Sequence, residues 1–279
     1  MTKNSKLSED LIRVIPIFKN EWQFEFPRLD ERSYDKLDSA IDDMERGNLK
    51  KAETDFRLLV EGFPEFLDAY HHLAMTLDEM RRHSEARTLW QTAIEIGKNA
   101  FPKSYKRGRH RLPWGILENR QFLRPYHSWG LKLLEVDETT AAVDVFKDIL
   151  SMNPNDNQGV RALAIDGYFQ LGQPDKVLSV CKRFPNDLME EVLYGKPLAL
   201  FQLGRLEEAK AALDRAIEWS PHIAKELTKK THRAPAKTSA KYVTEGGPDQ
   251  SFQYWQHQGQ FWIKTTGALE FLSTLFESR

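Results

Sequence analysis

Residues 126–154 read YHSWGLKLLEVDETTAAVDVFKDILSMNP, and the spacing in this stretch decides the fold. Tyr126, Trp129, Gly130 and Leu133 stand at i, i+3, i+4 and i+7, which is one face of an α-helix. After a short polar break, Ala142 and Phe146 open a second apolar face, and Pro154 closes it eight residues later. The stretch therefore predicts a helix hairpin. A small residue at Gly130 lets the paired helix approach, and the bulky residues around it fill the space between neighbouring pairs.

The same cadence recurs on both sides. Ala52/Phe56/Pro64 and Ala209/Leu213/Pro221 repeat the second-helix triplet, and Tyr70, Leu73, Ala74 and Leu77 repeat the first-helix face. Two copies are weaker: Ala86/Trp90 has no proline, and Gly172, Val177 and Cys181 belong to a shortened second helix ending at Pro185. Gly47, Gly172 and Gly204 fall between paired helices, where a left-handed turn residue is wanted. From Ala52 through Ala86, Ala142 and Val177 to Ala209, the equivalent positions are 34, 56, 35 and 32 residues apart. The second spacing exceeds one repeat by 22 residues and exposes an insertion.

These residues resemble the tetratricopeptide repeat (TPR) family over roughly residues 33–228, with five repeats of unequal quality. The resemblance implies an all-α fold, a TPR-type α-solenoid in which helix pairs form a right-handed superhelix, with an N-terminal cap and a C-terminal helical tail. It also implies a protein-interaction scaffold that holds a peptide or protein segment on the concave face of its first helices. Two departures stand out. Pro197, after Gly195, takes a small-residue place and predicts a kinked or late-starting helix. Leu37, Ile41 and Met44 in the first repeat are one place out of phase.

Around the repeats the chain divides into an N-terminal extension at 1–32, a basic insertion at 98–124, a linker at 229–250 and an aromatic-rich tail at 251–279. The insertion carries eight Lys and Arg residues against Glu118, a local charge of +7. The whole chain has 40 Lys+Arg against 41 Asp+Glu, so the rest of the protein is an acidic body. Lys103, Lys106, Arg107, Arg109 and Arg111 form a candidate surface for a polyanion or nucleic acid. The alternative is a solvated loop anchored by Leu112, Trp114, Ile116 and Leu117.

The tail places Trp255, Trp262, Leu269 and Phe276 seven residues apart, so they could share one helical face. Gly259 and Gly267 favour two short helices over one long one. Such a face caps the solenoid, lies along its groove, or binds a partner or a second copy. Tyr254-Trp255, Gly259, Trp262 and Gly267-Ala268-Leu269, with the preceding SPHIAKEL, resemble a poorly characterised bacterial TPR group. That group is related to the suppressor-of-tumorigenicity-7 family, and the resemblance implies no chemistry.

Composition and motifs argue against most other functions. At 41% hydrophobic residues the chain has material for a core, and its net charge of -1 gives no global reason to invoke nucleic acid or membrane. The apolar run from Leu11 to Phe18 is interrupted by Arg13 and Pro16, too short and broken for a signal segment or a membrane span. One cysteine, Cys181, excludes an internal disulfide and favours a cytoplasmic, reducing compartment. There is no phosphate-cradling glycine loop, nucleophile elbow or HExxH, so no cofactor, metal or catalytic residue is expected. Cys181 lies on an apolar helix position with Val177 and reads as core.

Projected onto TPR first helices, the concave face presents Asp68, His71, Met75 and Asp78 in the second repeat and Arg120, Arg124 and His127 in the third. Asp166 and Phe169 follow in the fourth, and Tyr194 and Phe201 in the fifth. The face begins acidic, turns basic beside the insertion and ends apolar and aromatic. Arg120 and Arg124 are placed to engage a carboxylate or phosphate.

Overall fold

The computed structural model describes residues 11–235 and 243–278. The described residues divide into two compact units, with the split between Val160 and Arg161.

The first unit opens with an antiparallel hairpin, β1 (Arg13–Pro16) and β2 (Trp22–Glu25), in which Val14 faces Phe24. Six helices follow: α1 (Glu31–Glu45), α2 (Leu49–Gly62), α3 (Leu67–Glu79), α4 (His83–Asn99), α5 (Leu117–Glu135) and α6 (Thr139–Met152). They pack as three hairpins, α1 with α2, α3 with α4, and α5 with α6.

The reasons are local. Asp30 caps α1 by accepting from the Ser33 backbone N–H at 2.9 Å, and Ser33 answers the Asp30 backbone, which closes a capping box. Leu37, Ala40, Ala52, Phe56, Leu73, Ala74, Leu77, Ala86 and Trp90 then lock the first two hairpins into one buried cluster. In the third hairpin a Cβ on Gly130 would sit 2.4 Å from the Phe146 ring, so the small residue does set the distance between α5 and α6.

The β-hairpin is a departure from the all-helical expectation for the N-terminal extension. Its signal is period two: Trp22, Phe24 and Phe26 are buried and alternate with Gln23 and Glu25. A search tuned to helical spacing passes over four-residue strands. The hairpin is pinned by the buried Asn119 on α5, whose Oδ1 accepts from Phe24 N–H at 3.0 Å. Its Nδ2 donates to the carbonyls of Trp22 and Pro113, each at 3.1 Å.

The second unit contains α7 (Val160–Gln170), α8 (Pro174–Arg183), α9 (Glu190–Gln202), α10 (Leu206–Trp219), α11 (Pro221–Leu227), α12 (Pro248–Lys264) and α13 (Ala268–Glu277). α9 starts at Glu190 and runs through Pro197 to Gln202 as one helix, so of the two alternatives expected at Pro197, a kink or a late start, the late start does not occur. The proline instead removes one backbone donor inside the helix. In the tail the break falls at Gly267, which is left-handed with φ +83°, and α12 continues through Gly259. The seven-residue aromatic series therefore does not share one continuous face. Tyr254, Gln258, Phe261 and Trp262 are buried on α12, and Ala268 and Leu272 on α13. Of the expected linker, residues 236–242 lie outside the described residues.

The left-handed residue between paired helices is glycine at Gly47, Gly172 and Gly204 but Arg81 and Asp137 in the second and third hairpins. Those two turns carry no glycine signal, and their position follows from the flanking helices alone.

Candidate binding surfaces on the first helices

In the first unit the first helices α1, α3 and α5 line one open cavity of about 800 Å³. Asp68, His71, Met75, Arg120 and Arg124 of the expected set all reach it, together with Tyr34, Asp38, His72, Glu118 and Gln121. The wall carries three carboxylates and two guanidiniums over a neutral histidine pair, His71 buried and His72 half-buried.

Asp68 is buried, and burial pushes its carboxyl up to about 6 against the pull of Arg124. Its Oδ2 accepts from Arg124 Nη1 at 3.1 Å, while its buried Oδ1 has no hydrogen-bond partner among the described residues. His71 Nδ1 accepts from the Trp90 indole N–H at 3.2 Å, which leaves the proton on Nε2. Burial holds His71 well below the usual imidazole range and brings His72 down to about 4. Gln121 donates to the Tyr34 hydroxyl at 3.0 Å. Arg120 donates from Nε to the Trp114 carbonyl at 2.9 Å and lies 5.1 Å over the indole ring. Each arginine thus spends part of its fork inside the protein. Met75, 38% exposed, and Leu117 are the exposed apolar side chains of the open wall, with Leu37 and Ile41 beside them.

Two expected residues lie elsewhere. Asp78 is held by Lys132 at 2.6 Å and His83 at 2.7 Å beside a separate shallow cavity. His127 is half-buried, and its Nε2 has no hydrogen-bond partner among the described residues. Tyr34, Asp38 and Gln121 were missed for different reasons. The first two lie on the helix whose apolar positions are out of phase, and Gln121 sits inside the basic insertion. No residue type marked them.

The corresponding face of the second unit is covered by the chain's own tail. Asp166 on α7 accepts from Gln258 on α12, and Phe169 stacks on Phe261 at 5.2 Å. Tyr194 on α9 meets Tyr254 at 5.8 Å and Trp262 at 6.4 Å, while Phe201 meets Phe271 at 5.0 Å. Gln202 donates to Thr265 at 2.8 Å, and Gln250 to Glu190 at 2.8 Å. Burial drives the Asp166 carboxyl up to about 8, with Glu191 adding to the rise. Trp255 lies outside this seam and stacks on His232 at 3.4 Å.

The basic insertion resolves into the end of α4, a loop at 100–116 and the first turns of α5. The Arg111 N–H donates to the Asn20 carbonyl at 2.8 Å, and the Trp22 N–H to the Arg111 carbonyl at 2.9 Å. Tyr105 and His110 pack on Trp22 at 5.5 and 5.1 Å. Of the expected apolar anchors Leu112 is buried, but Leu117 is 65% exposed, because α5 has already begun and turns it outward. Arg107 is paired with Asp148, while Lys103, Lys106, Arg109 and Arg111 are exposed.

Among the described residues no group of His, Cys, Asp and Glu is arranged to hold a metal ion, and no helix is long and apolar enough to cross a membrane. Cys181 is buried and its thiol is pushed up to about 12 by that burial, which makes it inert.

A sequence model of the family described as transcriptional repressor TCF25 matches residues 53–275, from within α2 into α13. The chain belongs to this family. A search of curated proteins found no match. Among solved structures, the crystal structure of MamA protein is similar at 15% identity with a TM-score of 0.51, covering 74% of this chain and 100% of that one. A MamA double mutant matches at 10% identity and a TM-score of 0.51, covering 69% and 96%. A structure titled as YrrB, a TPR protein with an unusual peptide-binding site, matches at 15% identity and 0.49, covering 67% and 85%. At these identities the likeness is one of fold. The family member described here has the fold of a TPR-type α-solenoid chain, with one β-hairpin before its first helix.

Proposed function

We propose that this protein is a non-catalytic scaffold that holds an extended or helical peptide of a partner on the first-helix face of its first unit. One observation carries the reading. The face formed by α1, α3 and α5 is an open cavity of about 800 Å³, within the range of ligand sites, whereas the equivalent face of the second unit already has an occupant. The groove residues are Asp68, His71, Met75, Arg120 and Arg124, with Tyr34 and Gln121 beside them. Asp166, Phe169, Tyr194 and Phe201 serve the tail, and Asp78 and His127 stand apart. Peptides selected from a random display library test this by titration calorimetry. The expected result is micromolar binding that Met75→Lys or Arg124→Glu weakens at least tenfold and Leu58→Glu leaves unchanged. Selection of no peptide, or binding indifferent to the groove variants, refutes it.

A second reading is favoured by the exposed Lys103, Lys106, Arg109 and Arg111, in a family described as transcriptional repressors. These side chains offer charge without a stacking surface, since Tyr105 and His110 are packed on Trp22. Weak binding to nucleic acid that falls steeply with salt and vanishes on charge reversal supports it. No shift of duplex or single-stranded DNA at low salt sinks it. The single cysteine supports a reducing compartment, the cytoplasm or, on the family's description, the nucleus. The tail's likeness to the bacterial group adds no ligand.

A further inference from the structure

The second helices of four hairpins run 14, 17, 14 and 14 residues, at α2, α4, α6 and α10. α8 has 10. It stops at Arg183 because Pro185 follows closely and the chain turns away through Asn186 and Asp187. The missing turn leaves α9 and α10 uncovered on one side, and a cleft of about 570 Å³ opens there.

Its floor is apolar, built from Leu178, Leu200 and Ala212, with the inert Cys181 at the bottom. Its rim is cationic: Lys182, Lys196, Arg205 and Arg215 against the single carboxylate of Glu208. Arg205 consumes that carboxylate, donating to it at 2.8 and 2.6 Å. Arg215 donates from Nη1 to the Pro185 carbonyl at 3.2 Å. Lys182 and Lys196 have no hydrogen bond or ion pair among the described residues. Lys196 follows Tyr194 by two residues, so it points about 200° round α9 from the side chain that meets the tail.

We propose that this cleft is a second binding site, for an acidic partner peptide carrying a leucine or phenylalanine. The side chain of that residue enters between Leu178, Leu200 and Ala212, and flanking carboxylates pair with Lys182 and Lys196. A phosphate site is the poorer fit. Both arginines are partly spent, the lysines are long and mobile, and an apolar floor offers a phosphate no donor. The site is independent of the groove on the first unit.

The test is fluorescence anisotropy on the full chain with a labelled synthetic peptide alternating glutamate with leucine and phenylalanine. The expected Kd is on the order of 10–100 µM, a modest affinity for a small cleft. Lys182→Glu with Lys196→Glu weakens it about tenfold or more by placing like charges against the peptide. Replacing the peptide's apolar residues by serine weakens it at least fivefold, and Met75→Lys on the first unit leaves it unchanged. Both reversed lysines are exposed, so the circular dichroism and melt of the double variant stay as in the parent. No binding at about 1 mM peptide, or affinity untouched by the double reversal, overturns the proposal. So does a result in which inorganic phosphate or a short oligonucleotide binds these lysines while the peptide does not.

Discussion

The two units build the same kind of first-helix face and use it in opposite ways. On the first unit, Asp68, His71, Met75 and Arg124 border an open cavity, and a buried carboxylate oxygen has no partner among the described residues. On the second, the equivalent Asp166, Phe169, Tyr194 and Phe201 are each met by a residue of α12 or α13. The contrast is one of occupancy: the second face is covered by helices with aromatic side chains and one amide, laid over the half-buried Asp166. The second unit carries that cover in its own sequence.

The largest expected effect comes from emptying the covered face. Trp262→Ala removes a fully buried indole at the centre of the seam and costs about 3–5 kcal/mol in chemical denaturation. Hydrogen exchange then rises along α7 and α9, so that the second face comes to resemble the first. A variant that unfolds no more easily breaks the comparison, because the tail is then not seated where the ring contacts put it.

On the open side, Asn119→Ala strands the Phe24 N–H and two carbonyls in the core. It lowers stability by about 2–4 kcal/mol in the same measurement. The cavity wall depends on that asparagine, since α5 also carries Arg120, Gln121 and Arg124.

The two first-helix carboxyls, Asp68 and Asp166, sharpen the comparison by pH. Both are raised, so the folded state keeps a proton that the unfolded chain loses near 3.8. The stability each contributes is complete below that value and is lost as pH climbs through the folded pKa, about 6 for Asp68 and about 8 for Asp166. Asp166→Asn keeps the acceptor for Gln258, flattens the decline between pH 4 and 8, and raises stability above pH 8 by on the order of 2 kcal/mol. Asp68→Asn flattens only the part below pH 6. Melting curves at a series of pH values separate the two, and equal windows for both variants contradict the different charges beside them, Arg124 at Asp68 and Glu191 at Asp166.

The smallest effect concerns turns. Arg81 holds a left-handed conformation with φ 65° where Gly47, Gly172 and Gly204 hold similar turns. Arg81→Gly relieves that strain and stabilises the first unit by up to about 1 kcal/mol, read as a small rise in Tm.

The helix hairpins were legible because their information is local. Gly130 opposite Phe146, Ala74 with Leu77, and Pro at the ends of second helices are spacing rules that act within one repeat. The β-hairpin was not legible, because Trp22 and Phe24 find their partners at Phe101, Tyr105, His110 and Phe122, roughly 80 to 100 residues away. Spacing assigns candidate residues to first helices but carries no sign of which first helices the tail covers. Asp166 and Asp68 look alike in the sequence, and only the seating of Gln258 separates a residue of the internal seam from one that borders an open cavity. The break at Gly267 rather than Gly259 follows from backbone conformation, which the two glycines do not distinguish by type.

Hydrogen–deuterium exchange on the full chain, with and without a display-selected peptide at saturation, tests the central claim most directly. The account predicts protection on α1, α3 and α5 at residues 31–45, 67–79 and 117–135, with α12 and α13 unchanged. Protection on α7 and α9 together with faster exchange across 248–277 would contradict it, because the peptide would then have displaced the tail instead of filling the open face.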